Sequence, residues 1–264
     1  MKKLILTIFA STALFSCSTN SSSDNSNSAG LLPKTITFTD GTYTYVQTFS
    51  YNGNKLTGWQ GSDGGYGITT YDGDFVIQDQ TINVNSAYNY TENYNYANNL
   101  LTSYSSISNS SSTNYVITNN SDGTITENIT STDNTSGYIY HSMHKRYYSD
   151  GNCIKIEYYV DENSIMTLTS TTYYTYDTKN NFRKNGAGWI YLVGTLWSKN
   201  NETGSITKNA SGVVTGTSQS IYQYNSQDFP ISCNYSNVYY SIDPITGISS
   251  PGGTETYTEA YTYY

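Results

Sequence analysis

Along most of the chain, residues that pack on a sheet alternate with small polar ones. Tyr43-x-Tyr45, Phe49-x-Tyr51, Tyr88-x-Tyr90, Tyr94-x-Tyr96, Tyr138-x-Tyr140, Tyr174-x-Tyr176, Tyr222-x-Tyr224 and Tyr261-x-Tyr263 all carry a period of two, which places alternate side chains on one face of a strand. Between these runs stand dipeptides suited to positive backbone angles: Asp40-Gly41, Asn52-Gly53, Asp63-Gly64, Asp72-Gly73, Asp122-Gly123, Asp150-Gly151 and Asn185-Gly186, the chemistry of tight hairpin turns. No window shows a helical stripe. The pattern predicts an all-β domain over residues 31–264, an antiparallel meander of hairpins. Chain-adjacent strands should pair in a large twisted, curled sheet or partial barrel, with "YTEAYTYY" as the last strand.

One unit recurs with variation: "FSYNGNKLTGW", "TTYDGDFV", "YNYANNLLTS", "RYYSDGNCIK", "YTYDTKNNFR" and "YQYNSQDFPIS". A two-residue loop at Asn52-Gly53 sets Tyr51 opposite Asn54 and Phe49 opposite Leu56; the same arithmetic around Ala97-Asn98 sets Tyr94 opposite Leu101. Each unit then presents one apolar patch on one face. A lone hairpin is marginal in water, so hairpins joined edge to edge are how such a chain obtains a core. Two stretches depart from the pattern. Residues 113–137 fit the unit poorly. "GAGWIYLVGTLW", residues 186–197, is strongly apolar without alternation and is expected to pack on the sheet as a short insert, burying Trp189, Leu192, Leu196 and Trp197, the alternative being a membrane-touching or partner-binding patch.

The first residues concern address, not fold. Lys2 and Lys3 precede an apolar run from Leu4 to Leu14, the layout of a signal segment and too short to span a bilayer, which takes about 20 residues. Leu14-Phe15-Ser16-Cys17 resembles the lipobox of bacterial lipoproteins, which implies lipid attachment at Cys17. The expected organisation is a signal peptide over 1–16, a lipidated Cys17 with a flexible Ser/Asn tether to residue 30, and one domain beyond it. Ser18 behind the cysteine points to the outer membrane, on either face. Loss of Lys2 and Lys3 leaves 10 basic against 20 acidic residues and moves the formal charge from −8 to −10, which argues against nucleic acid as a partner. Cys153 and Cys233 stand far apart in sequence and are expected as isolated buried thiols, a disulfide being the alternative.

The repeated units, above all "YTYDTKNN", "TTYDGDFV" and "FSYNGNKLT", resemble the tyrosine-aspartate repeats of the Rhs/YD class. With the lipobox and tether, they make the chain similar to uncharacterised Bacteroidota lipoproteins carrying degenerate YD-like repeats. The resemblance implies antiparallel repeats in a curled sheet and no particular activity.

Candidate chemistry is sparse. His141 and His144 are three apart, so on a strand they face opposite ways and do not share a metal; both are expected at the surface. Asp72-Gly73-Asp74 and Asp161-Glu162-Asn163 lack the six or more oxygen ligands of a calcium loop and read as turns. No serine stands out as a nucleophile, and neither metal nor cofactor is expected. The reading is a non-enzymatic cell-envelope lipoprotein with a binding or scaffolding role toward another envelope protein or a glycan. One alternative is a glycan-binding lipoprotein of a nutrient-capture system, with Trp59, Trp189 and Trp197 among the tyrosines as ligand-stacking residues. A further alternative is a hydrolase using a carboxylate pair.

Overall fold

The computed structural model describes residues 30–187, 198–242, 246 and 249–264. Within them the chain forms sixteen strands: β1 (Pro33–Asp40), β2 (Tyr43–Asn52), β3 (Lys55–Gly61), β4 (Tyr66–Asp72), β5 (Phe75–Ile82), β6 (Tyr90–Ala97), β7 (Leu100–Ser108), β8 (Ser111–Asn119), β9 (Ile125–Asp133), β10 (Ile139–Ser149), β11 (Asn152–Glu162), β12 (Ile165–Tyr176), β13 (Glu202–Asn209), β14 (Val214–Tyr224), β15 (Pro230–Ile242) and β16 (Ser249–Tyr263). The one helical element among the described residues is a 3-10 turn, Ser86–Tyr88. Every strand pairs antiparallel with its chain neighbour, and β1 pairs with β16. The meander therefore closes completely, where the sequence suggested a curled sheet or partial barrel. Thr35↔Thr262, Ile36↔Tyr261 and Phe38↔Glu259 join the ends, so no edge is left unpaired.

The recurring unit is a hairpin with a bulge. In six hairpins a tyrosine sits just before the turn, facing inward: Tyr51, Tyr71, Tyr96, Tyr148, Tyr176 and Tyr224 oppose Leu56, Val76, Leu101, Cys153, Glu202 and Pro230. The next residue on the returning strand is extra in each case. Thr57, Ile77, Thr102, Ile154, Thr203 and Ile231 stand two against one, and each register shifts there. A bulge bends and twists its strand, and six at one level turn the wall inward at that rim. The turn at residues 52–55 is centred one residue later than expected, on Gly53-Asn54, so Tyr51 opposes Leu56 and Phe49 opposes Trp59. Likewise Asn98 and Asn99 take the positive-φ turn positions, at 51° and 64°, and Tyr94 opposes Tyr104. The shared inward face survives because the bulge absorbs the shift. Residues 113–137 form β8 and β9, paired through nine rungs without a bulge.

The bulged rim, where β1 begins and β16 ends, holds most of the apolar core: Leu32, Phe49, Leu56, Val76, Leu101, Cys153 and Phe229 are all buried. The described part of the β12–β13 connection packs onto it. Asp177 organises its base, accepting from Lys179 N at 2.9 Å, from Asn201 N at 3.2 Å and from the Tyr224 hydroxyl. Phe182 lies 5.1 Å from the Tyr261 ring, Asn185 Nδ2 donates to Leu31 O, and Ala187 N donates to Asn54 O. On the far side of the ring, Ser198 Oγ accepts from Cys153 N and Lys199 N donates to Gly151 O. The expected apolar insert falls almost wholly on residues 188–197, outside the described residues, and Trp189 and Trp197 with it.

Candidate functional site: the lumen

Register settles which way each side chain points. The inward face carries Tyr45, Tyr94, Tyr104, Tyr115, Tyr158, Tyr174, Tyr222, Tyr235, Tyr257 and Tyr261, and with them Asp79, Glu92, Glu127, Glu202 and Glu259. The outward face of the same strands carries Thr35, Thr37 and Thr39 on β1, Gln78 and Gln80 on β5, Asn93 and Asn95 on β6, and Ser103 and Ser105 on β7. A barrel wall in lipid needs an apolar outer band about 25 Å tall. On these strands the outer wall is hydroxyl and amide at mid-strand, while Ile68, Val116, Tyr173, Ile206 and Ile221 stand exposed among polar neighbours on the outer face of others; the inside carries most of the tyrosines.

Luminal residues away from the bulged rim are mostly half-buried, Asp79, Glu92, Tyr94, Tyr235 and Tyr257 among them, so the lumen is not packed solid there. At the other rim, the loop-to-loop hydrogen bonds among the described residues run between neighbours: Asn134 N to Ser110 O, Asn109 Nδ2 to Ser86 O, and Ser249 Oγ to Val214 O. Tyr43, Tyr66, Tyr88, Tyr138 and Tyr239 are exposed toward that rim. Among the described residues the barrel is a cup, packed at the rim where β1 starts and open at the opposite one.

One polar network ties the lumen wall from β6 to β10. Tyr94, Tyr104 and Tyr115 stack across β6, β7 and β8 with centroids 5.9 Å and 4.0 Å apart. The Tyr104 hydroxyl donates to Glu127 Oε1 at 2.8 Å. His144 Nδ1 lies 2.8 Å from Glu127 Oε2, and Arg146 Nη2 donates to the same oxygen at 2.9 Å. Glu127 and Arg146 are 1% and 3% exposed at the side chain. Burial alone would push the Glu127 carboxyl up, but hydrogen bonds from His144 and the Arg146 charge hold it down at about 2. Arg146 Nε and Nη1 and the Tyr148 hydroxyl have no hydrogen-bond partner.

The other luminal acids stay raised, although the Arg183 charge pulls Asp79 and Glu259 partly back down. Asp79 directly opposes Glu92 across β5 and β6; burial, and secondarily the Glu92 charge, push Asp79 up to about 7. Burial also pushes Glu202 up to about 7, and raises Glu92 and Glu259. Glu92 accepts from the Tyr94 hydroxyl at 2.7 Å, and Glu259 accepts from the Tyr235 and Tyr261 hydroxyls. Such a lumen offers ring faces, phenol donors and part-protonated carboxyls to a ligand rich in hydroxyls.

Several sequence-read residues fall into place. His141 and His144 do face opposite ways, but only His141 lies on the outer surface, bonded to Thr130 Oγ1; His144 points into the lumen because it occupies the inward register opposite Glu127. Trp59 is half-buried and faces inward over Gly67, where a Cβ would collide with its indole, so one face of the ring is taken by the neighbouring strand. Cys153 and Cys233 are free and buried, and burial pushes the Cys233 thiol up to about 12, which leaves it unreactive. Asp72–Asp74 and Asp161–Asn163 lie at the turns β4–β5 and β11–β12. Cys17 lies outside the described residues. Glu127 and Arg146 were not singled out from sequence; their signal is charge at an inward position of an alternating strand.

No family model matches the sequence, and no curated protein matches it significantly. Solved structures do match in fold. A porin-like protein from Bacteroides vulgatus ATCC 8482 aligns over 89% of this chain and 99% of its own, at 14% identity and a TM-score of 0.59. A porin-like protein from Bacteroides uniformis ATCC 8492 aligns over 88% and 96%, at 16% identity and a TM-score of 0.52. At these identities the likeness is one of fold.

Proposed function

We propose that the protein is a non-enzymatic cell-envelope lipoprotein, held through lipid on Cys17 and the tether over 17–30, whose water-immersed barrel is a binding cup. The observation that carries this is the polarity of the wall: tyrosines and carboxyls inward and half-buried, and an outer face on which hydroxyls, amides and charges interrupt the apolar side chains. The signal-like N-terminus and the porin-like fold of the Bacteroides structures support an envelope location, with the outer membrane as the anchoring surface. Residue 30 lies at the packed rim, so the tether reaches the cup from its closed side and the open rim points away from the anchor. Exposed tyrosines toward that open rim favour a glycan as the ligand, since rings stack on sugar faces while hydroxyls hydrogen bond. The hydrolase alternative would rest on the opposed Asp79 and Glu92, and substituting either would then abolish activity on a sugar substrate.

The test separates anchor from wall. A fatty-acid probe should label the wild type and not Cys17→Ala, and the Cys17→Ala protein should stay folded and soluble without detergent. Equal labelling of the variant would sink the lipid assignment. A Cys17→Ala protein extracted from membranes only by detergent would place the wall itself in lipid and sink the cup.

A further inference from the structure

We propose that the outer wall of β10–β13 is a binding face for an anionic polysaccharide, separate from the lumen and standing whether or not the lumen binds a ligand. Two adjacent rows of side chains cross these strands. Tyr147 pairs with Lys155, Lys155 with Tyr173 and Tyr173 with Ile206; in the next row Lys145 pairs with Glu157, Glu157 with Thr171 and Thr171 with Lys208. All of these point outward.

The lysines are held in place over rings. Lys155 Nζ lies 3.5 Å from the Tyr147 centroid, Lys145 Nζ 5.5 Å from the same ring, and Lys208 Nζ 5.7 Å from the Tyr173 centroid. Glu157 ties the patch together, accepting from the Tyr147 hydroxyl at 2.8 Å, the Tyr159 hydroxyl at 2.9 Å and Lys155 Nζ at 2.9 Å. Asp122 approaches Lys145 at 3.7 Å from the rim. With Asp122 the face carries three ammonium groups against two carboxylates: Lys155 pairs with Glu157, Lys145 approaches Asp122, and Lys208 makes no ion pair among the described residues, on a chain whose net charge is −8. Tyr173 and Ile206 remain 46% and 45% exposed, leaving apolar surface between the charges.

The shape selects the occupant. Neighbouring strands stand about 5 Å apart, so the row presents ring, cation, ring and aliphatic side chain at intervals on the scale of one sugar unit. Aromatic faces suit the C–H face of a pyranose, and the fixed ammoniums suit its carboxylate or sulfate. Two rows over four strands fall short of the roughly 800 Å² a side of a stable protein interface, and a convex wall touches a flat bilayer along a line.

Full-length protein in detergent micelles can be run by affinity electrophoresis through gels containing polygalacturonate or neutral dextran, and sedimented with phosphatidylglycerol vesicles. We expect retardation by polygalacturonate, none by dextran, and loss of the effect at high salt. Combined Lys145→Gln and Lys208→Gln should weaken binding by about tenfold, and Tyr173→Ala should weaken it comparably, with melting temperature unchanged because both sites lie on the surface. Three outcomes would overturn the proposal: no retardation by polygalacturonate, equal retardation of these variants, or binding to the vesicles without binding to polygalacturonate. The last would reassign the face to anionic lipid.

Discussion

Glu127 shows how much one inward position can decide. It lies on β9, where alternation gives it to the lumen wall, and at 1% side-chain exposure its charge survives only because Arg146, His144 and Tyr104 converge on it. Taking a carboxylate and a guanidinium out of water is expensive, and their attraction offsets that cost only while both are present. Glu127→Gln should therefore lower the unfolding free energy by about 3–5 kcal/mol, since it strands a buried cation. Glu127→Gln with Arg146→Met should recover most of the loss, because the second change removes the stranded charge. Denaturant unfolding of the two proteins decides it; a double variant no better than the single would mean that the network contributes through packing. Little of this was legible in sequence. A glutamate among threonines reads as solvent-facing until register shows that its alternate neighbours, Ile125 and Ile129, also point inward.

Hairpins were the most legible element, because a period of two and a turn dipeptide are both local. Six of the seven turn dipeptides named from sequence lie at short turns between paired strands; Asn185-Gly186 instead lies inside the long β12–β13 connection. Register was less legible: whether Asn52-Gly53 or Gly53-Asn54 forms the loop is a competition between two similar turns, and the bulge at Thr57 allows the later one while keeping Leu56 inward. The Thr57 hydroxyl donates to Ser50 O at 3.0 Å, and Thr102 does the same to Asn95 O at 3.1 Å. Trp59 was read as a possible stacking residue and is placed as a cover for Gly67 on β4. An indole across a glycine on the next strand replaces the packing that glycine lacks. Gly67→Val should then displace Trp59 and destabilise the β3–β4 pair by about 1–3 kcal/mol through overpacking, with a changed near-ultraviolet dichroism signal. An unaltered aromatic signal would show that the indole moves aside freely.

At the scale of the whole molecule, closure was the step the sequence left open, because nothing local to Ile36 or Tyr261 says that they meet; it follows from the number of strands and the bend that six bulges impose at one rim. Closure also gathers acids from distant strands into one lumen, and that has a consequence for pH. Asp79 and Glu202, ordinarily near 3.8 and 4.5, are both raised to about 7 in the folded protein by burial, so the folded state holds their protons where the unfolded chain has released them. Their contribution is fully present below the ordinary carboxylate range and is lost as pH climbs from about 4 through 7. Glu127 has the opposite sign. Held at about 2 against an ordinary 4.5, it stabilises above that ordinary value and ceases to as pH falls toward 2. The two trends cross in mildly acidic solution, so the melting temperature should peak near pH 4–5 and decline toward pH 8. Asp79→Asn with Glu202→Gln removes two of the raised carboxyls, since neither amide takes up or releases a proton there, and should make that limb shallower, with Glu92 and Glu259 still raised, while leaving the acid limb in place. A melting profile that rises steadily to pH 8 in the wild type, or an alkaline limb unchanged in the double variant, would show that these carboxyls remain ionised in the water of the lumen.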